Sequence, residues 1–588
     1  MIQKTNELPV WDIEAIYPSG AAWEKDFAKL RGLAEKFAAY RGKLQDSDKV
    51  LADAIRADEV FDRLAEKLYV FAHLRADEDT GNAEASSRLD RIKGAFAELA
   101  PFSAWFMPEL SALPDKVMKK YLDSPVLADH RRSLKEVVRA RSHVLSEAEE
   151  KIIGLYSDVT HAPDRTFSLL NDADMTFGTL TVDGKKETLT HASYHTFLEH
   201  PDRKVRRTAF RKMHVSYGKL RHTFASTLDA VVKRHVVSAR LRKYPSSLAA
   251  ALFDDNVPEQ VYTRLIDSVH AHLVPMYRYV ELRKKVLKLD KIDIYDLYNP
   301  LLPDCRKSYS WDDAVKLVNG AVKPLGEEYG RIWKNAVRER WIDAPPRKGK
   351  RSGAYSSGCF DTRPYILMSF DHTLNDVFTL AHEGGHSMHS YFSNHHQPYQ
   401  YADYSIFAAE IASTTNEILL FEHLMANSRD RDLKAYLLCH LADEIRCTIY
   451  RQTMFAEFEL LIHRLAEEGT PLTADLLDNE YGKLNALYYR IHGDKLISHE
   501  WARIPHFYYN FYVYKYATGM SAAIRLATGI LKNGEPAREA YLGFLKAGSC
   551  KDVLEIMQDA GVDLNTPEPV DAALDYFAGI VRKLENML

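Results

Sequence analysis

Apolar residues return at every third or fourth position along most of this chain, with charged residues between them. The segments AAWEKDFAKLRGLAEKFAAYRGKL (21–44) and VLADAIRADEVFDRLAEKLYVFAHLRADED (50–79) carry the pattern clearly. Such spacing lines apolar side chains along one face and predicts helices that bury it. Glycines and prolines fall mainly between these segments, where helices end. Roughly the first 110 residues are expected to form a bundle of antiparallel helices, closed by LAPFSAWFMPELSALPD (99–115). Two stretches break the helical rule. FGTLTVDGKKETLT (177–190) alternates around Asp183-Gly184 and predicts a β-hairpin. RKGKRSGAYSSGCFDTRPYILMSFD (347–371) opens basic and rich in glycine and serine, then runs into PYILMSF. It predicts a flexible loop followed by a short strand. The edge of that strand is either a place for an extended peptide to pair or part of a plain structural hairpin.

Composition narrows the class. With 588 residues, 46% apolar and 27% charged, the chain is expected to be a soluble protein of two or more packed regions. A net charge of −4 gives no basic field for nucleic acid or an anionic membrane. Five scattered cysteines without a CxxC argue against a disulfide framework or a cysteine-held metal. No uncharged apolar run of about 18 residues occurs, and the N-terminal stretch lacks the apolar core of a signal peptide. A cytoplasmic location is the simplest expectation.

One motif carries chemistry. In TLAHEGGHSMHS (379–390), His382 and His386 stand four residues apart with Glu383 between them. Thr373 and Asp376 form a capping box for a helix expected over about 374–393. On it the two imidazoles lie one turn apart and roughly 40° apart in projection, close enough for one metal. Glu383 projects between them and borders that metal without binding it. Zinc held by two neutral imidazoles and a carboxylate keeps a position for water and lowers its pKa towards 7. A neighbouring carboxylate then accepts the proton and passes it to a leaving amine. The two glycines each cost a helix roughly 1 kcal/mol relative to alanine, and their smallness admits a substrate or a second helix.

Two histidines do not hold a catalytic zinc alone. SIFAAEIASTTNEILLFEHLM (405–425) is a second helical run, with Glu410 and Glu417 seven residues apart and nearly aligned. Its apolar flanks, IFAA and ILL, predict a largely buried helix in which a carboxylate needs a partner. Glu410 follows His382 by 28 residues, enough for the chain to turn and run back. Glu410 is therefore taken as the third ligand, and Glu417 as the carboxylate orienting a ligand histidine. The alternative leaves both as surface carboxylates. His389 is read as a core histidine, and His395 and His396 as loop residues. Downstream, HEWARIPHFYYNFYVYKYATGMSAA (499–523) gathers Tyr508, Tyr509, Tyr512, Tyr514 and Tyr516 beside His506. A tyrosine hydroxyl or histidine N–H there suits a developing oxyanion, whereas each tyrosine singly suits packing. Tyr512, Tyr516 and Tyr509 fit one helical face.

HEGGH, FAAEIASTTNE and PHFYYNFYVYKYATG together resemble oligoendopeptidase F, in the thimet-oligopeptidase-like group of zinc metallopeptidases. The likeness extends through RKVRRTAFRKMH (203–214), RKYPSSLAAALFDDNVP (242–258) and YVELRKKVLKLDKIDIYDLYNPL (279–301), and so covers essentially the whole chain. It implies a mostly α, two-lobed molecule with a deep channel and a small β element beside the HExxH helix. It also implies one zinc on His382, His386 and Glu410, with Glu383 as general base. His506 and Tyr514 would act on the oxyanion, and Tyr508 and Tyr512 would hold the substrate backbone. The chain departs from the thimet branch in a shorter loop after His506 and in Phe511, where that branch has a tyrosine. The expected division is a helical bundle over 1–115, a connecting region with the hairpin over 116–195 and the catalytic domain over 196–588.

The leading expectation is a zinc endopeptidase for short oligopeptides. A zinc exopeptidase, with RKGKR (347–351) as a clamp for a peptide terminus, is the alternative within hydrolases; a catalytically inert helical peptide-binding protein is the alternative outside them. The sequence leaves oligomeric state, cleavage preference and the use of another divalent metal open.

Overall fold

The computed structural model describes residues 8–302 and 307–588, and these are mostly helical. They form two compact units, each assembled from three chain segments. One unit takes Met1–Ser142, Arg306–Ala426 and Leu526–Gly561; the other takes His143–Cys305, Asn427–Arg525 and Val562–Leu588. This partition cuts the chain differently from a division at 115 and 195. Segments far apart in sequence share each core, so adjacency along the chain does not mark its limits.

In the first unit the longest helix is Asp48–Glu78, opened by the Ser47 hydroxyl accepting the Val50 N–H. The helical pattern over 21–44 is carried by two helices, Gly20–Phe27 and Leu30–Ala38. The break lets Trp23 and Phe37 enter different cores. Trp23 joins Trp11, Leu68, Phe71 and Leu74, while Phe37 joins Leu44, Leu51, Trp105 and Tyr121. A three-stranded sheet has Tyr365–Leu367 at its centre, parallel to Ile342–Asp343 and antiparallel to Tyr355–Ser357. Tyr365 and Leu367 share the core of Leu68 and Phe71, so the sheet is mounted on the long helix.

The short strand after RKGKR is present, but the basic segment before it is anchored. Asp343, fully buried, pairs with Arg347 and Lys350, and Lys350 also donates to the carbonyls of Pro345 and Met368. Lys350 is 1% exposed at its side chain. A buried carboxylate requires such partners, and it recruits them from the nearest basic run.

In the second unit the expected hairpin pairs Thr179–Val182 with Lys185–Thr188. Asp183 and Gly184 take φ of 48° and 81°, the left-handed pair a two-residue hairpin turn needs. The described cysteines, Cys359, Cys439, Cys447 and Cys550, are free; Cys305 lies outside the described residues. Among the described residues no helix is long and apolar enough to cross a membrane.

Candidate metal centre and active site

The HEGGH helix runs Leu374–His396 from the expected capping box: the Thr373 hydroxyl accepts the Asp376 N–H, and the Asp376 carboxylate accepts the Thr373 N–H. The helix Ile406–Asn427 lies against it antiparallel, since His382 meets Glu417, Gly385 meets Ser413 and His386 meets Glu410. Both glycines of the motif serve this packing. A β-carbon on Gly385 would lie 2.8 Å from the Ala412 carbonyl oxygen, and one on Gly384 would lie 2.9 Å from the Trp333 ring. Asn416 ties the helices together, donating to the Ala381 carbonyl at 3.1 Å and pairing with the Tyr329 hydroxyl.

The three expected ligands converge. Glu410 Oε2 lies 3.5 Å from His382 Nε2 and 3.7 Å from His386 Nε2, and one ligand atom from each residue lies within 4.8 Å of the others. The imidazole planes cross at 82°. Glu417 Oε1 sits 3.4 Å from His382 Nδ1, on the opposite side of that ring, and Ser413 donates to Glu410 Oε2 at 3.3 Å. On their otherwise buried helix, Glu410 and Glu417 hold half-exposed positions. Two imidazole nitrogens and one carboxylate oxygen at this spacing fit a catalytic zinc, whose three protein ligands leave a fourth position for water or substrate.

Electrostatics agree with a cation site. Burial alone would lower the His382 pKa, but its hydrogen bond to Glu417 and the charges of Glu417, Glu383 and Glu410 raise it to about 9. Burial and the charge on His382 bring His386 down to about 4. The carboxylates thus hold a positive charge where the two rings meet. Glu383 is 6% exposed, and its Oε2 has no hydrogen-bond partner among the described residues. Burial pushes its pKa up to about 7; Glu410 and Glu417 raise it further, while His382 and the Ser356 backbone N–H oppose the shift. A buried acid near neutrality, with one oxygen unengaged, is able to take and release a proton. Core packing holds for His389, whose ring stacks 3.6 Å from Tyr404. His395 and His396 close the helix rather than lying in a loop.

The aromatic segment lies in the second unit and does not form one continuous helix. Short 3-10 turns at Lys495–Arg503 and Pro505–Tyr508 are followed by Asn510 and Phe511 at φ 49° and 59°, and a regular helix opens only at Tyr514. His506 gathers three rings, Tyr509 at 5.8 Å, Tyr512 at 6.4 Å and Tyr516 at 5.9 Å, with its Nε2 3.5 Å from the Tyr516 hydroxyl. Burial lowers its pKa, favouring the neutral imidazole. Tyr508 points elsewhere: its ring stacks on Phe167 at 4.1 Å and its hydroxyl lies 2.9 Å from that of Thr227. Tyr514 is fully buried against Tyr262. Tyr508 and Tyr514 are thus both buried, whereas the rings around His506 are those of Tyr509, Tyr512 and Tyr516. Sequence reasoning also passed over Ser356, Ser413 and Asn416. Of these, only Ser413, three residues after Glu410, had a visible helical signal.

Comparison with known proteins follows the same lines. Residues 196–576 match the model of peptidase family M3, and residues 109–177 match that of oligopeptidase F. Oligopeptidase PepF of Bacillus subtilis is 44% identical over 600 residues, spanning 100% of this chain and 89% of its own. The plasmid oligoendopeptidase F of Lactococcus lactis subsp. cremoris is 37% identical over 596 residues, covering 100% and 99%. Among solved structures, oligoendopeptidase-F from Enterococcus faecium superposes with a TM-score of 0.75 at 36% identity, covering 96% of this chain and 98% of its own. A solved chain from Chlamydophila abortus reaches 0.93 at 37% identity, covering 98% of each.

Proposed function

The chain belongs to peptidase family M3, and from that premise we propose a zinc-dependent oligoendopeptidase with one zinc per chain on His382, His386 and Glu410. It is a metallopeptidase that hydrolyses internal bonds of short peptides. The observation carrying the site assignment is the convergence of those three side chains with the buried Glu383 carboxylate beside them. When bound, zinc supplies Lewis-acid polarisation and brings the pKa of a water molecule towards neutrality. Glu383 takes the proton of the attacking water on a carboxylate oxygen and delivers it to the leaving amine. Glu417 fixes the His382 ring through Nδ1, so that Nε2 presents its lone pair. His506, with Tyr512 and Tyr516 around it, is the donor set for the oxyanion and the substrate backbone. The enzyme works in the cytoplasm, where free thiols persist.

An exopeptidase needs a free charged group for a peptide terminus. Arg347 and Lys350 are engaged by Asp343, and Arg351 by Asp77, so most of the RKGKR cations are already paired. The deciding assay is cleavage of an internally quenched peptide of about ten residues, blocked at both ends. Internal cleavage abolished by a chelator and by Glu383→Gln is expected. Trimming of unblocked peptides alone would restore the exopeptidase reading, and inertness towards both would favour a binding protein.

A further inference from the structure

The strand Tyr355–Ser357 lies at the edge of its sheet, and its side chains alternate between two faces. Ser356 faces the HEGGH helix. Its hydroxyl is 2.7 Å from that of Ser387, which stands one turn beyond Glu383 on that helix. Tyr355 and Ser357 face the last turns of the helix Asp48–Glu78. There the Tyr355 hydroxyl donates to Asp77 Oδ2 at 2.8 Å, and the Ser357 hydroxyl lies 2.9 Å from His73 Nε2. His73 Nδ1 is 3.3 Å from the same Asp77 oxygen. Arg351 adds its guanidinium to the Asp77 carboxylate and its backbone N–H to the Asp77 carbonyl.

Asp77 is 4% exposed, and a buried carboxylate keeps its charge only with donors around it. Burial would raise its pKa, yet the bonds from His73, Tyr355 and Arg351 outweigh that and lower it. With an ionised Asp77 accepting from Nδ1–H, the His73 Nε2 is left to accept from Ser357. A strand of three residues, paired on one side only, has few ladder bonds to fix its position. Both outward side chains of this one are fixed by a single His–Asp pair instead.

We propose that His73 and Asp77 are positioning residues for peptide hydrolysis, holding Tyr355 and Ser357 so that Ser356 stays bonded to Ser387 and seats the turn of the HEGGH helix that carries Glu383. This rests on Glu383 acting as general base. The polar contacts of His73 and Asp77 are with each other and with Arg351, Tyr355 and Ser357, and they act through the strand.

The test is a double-mutant cycle on the metal-loaded full chain. His73→Ala and Ser357→Ala should each lower kcat by about ten-fold, with KM and bound metal unchanged. The double variant should be no slower than the worse single one, because both break the same link. His73→Gln, whose amide oxygen is able to accept from the Ser357 hydroxyl in place of Nε2, should recover most of the rate. Full kcat in His73→Ala or Ser357→Ala, losses that multiply in the double variant, or losses that follow metal content or Tm would each overturn the proposal. Glu383→Gln is assayed alongside. If it is inert while His73→Ala runs at full rate, the positioning role alone fails; if it turns over normally, the general-base reading beneath it fails too.

Discussion

Gly385 and Ser413 meet backbone to backbone: a β-carbon on Gly385 would stand 2.6 Å from the Ser413 Cα. No side chain larger than hydrogen fits at this crossing. The histidines flank the contact on one helix, and Glu410 and Glu417 flank it on the other, so the closeness of the crossing sets the span of the metal site.

Gly385→Ala therefore has to push the helices apart. It should cost about 1–3 kcal/mol of stability and weaken metal retention. Gly384→Ala meets the Trp333 ring rather than the backbone of the neighbouring helix, and should cost less. Thermal unfolding of the metal-free proteins, with chelator competition on the loaded ones, checks both; an unchanged Gly385→Ala would contradict the packing.

Glu417 reaches His382 Nδ1 at 3.4 Å and raises the basicity of that ring. Glu417→Gln removes the charge while keeping the shape. Metal affinity should fall by about 10–100-fold, with activity recovered at high free zinc. Titration of activity against buffered zinc separates this from a loss of kcat that no metal concentration restores.

Glu459 is fully buried in the second unit, where its Oε1 accepts the Phe511 N–H at 2.6 Å and supports the left-handed turn. Burial pushes its pKa up to about 8 from an ordinary 4.5, with the Phe511 bond opposing. The folded state therefore binds this proton more tightly than the unfolded chain does. The stability it contributes is complete below pH 4.5 and is lost as the pH rises through about 8. Glu459→Gln lacks that titration. Denaturant unfolding across this window should show the wild type losing a few kcal/mol relative to the variant. Parallel curves would place the Glu459 pKa elsewhere.

Tyr508 and Tyr512 are two turn residues with opposite surroundings. Tyr508→Phe removes a hydroxyl held by Thr227 and should cost about 1 kcal/mol of stability with turnover unchanged. Tyr512→Phe and His506→Ala alter the half-exposed cluster and should lower kcat/KM by at least about ten-fold with Tm little changed. Steady-state kinetics and thermal unfolding on all three variants decide. A slow Tyr508→Phe beside normal Tyr512→Phe and His506→Ala would reverse the assignment.

The sequence by itself determined the parts of this protein that depend on neighbours three or four residues apart. Helical periodicity, the Thr373–Asp376 cap, the Asp183-Gly184 turn and the pairing of His382 with His386 are local and follow from fixed helical and turn geometry. The alignment of Glu410 with Glu417 is local too, and its meaning became readable once two histidines required a third ligand. What the tertiary structure decided was every relationship between distant segments: the Gly385–Ser413 contact, the Ser356–Ser387 bond, the His73–Ser357 link and the assembly of each unit from three pieces. RKGKR read as the start of a flexible loop because its buried partner Asp343 stands outside it and belongs to a strand whose burial no local pattern reveals. The single helical face expected for Tyr509, Tyr512 and Tyr516 is interrupted because a helical wheel cannot register Phe511 in the left-handed region. That conformation is disfavoured for an aromatic residue on its own. It persists here because the Phe511 ring is buried against Tyr262 and His463 and its N–H is held by Glu459, contacts that exist only once the chain has folded.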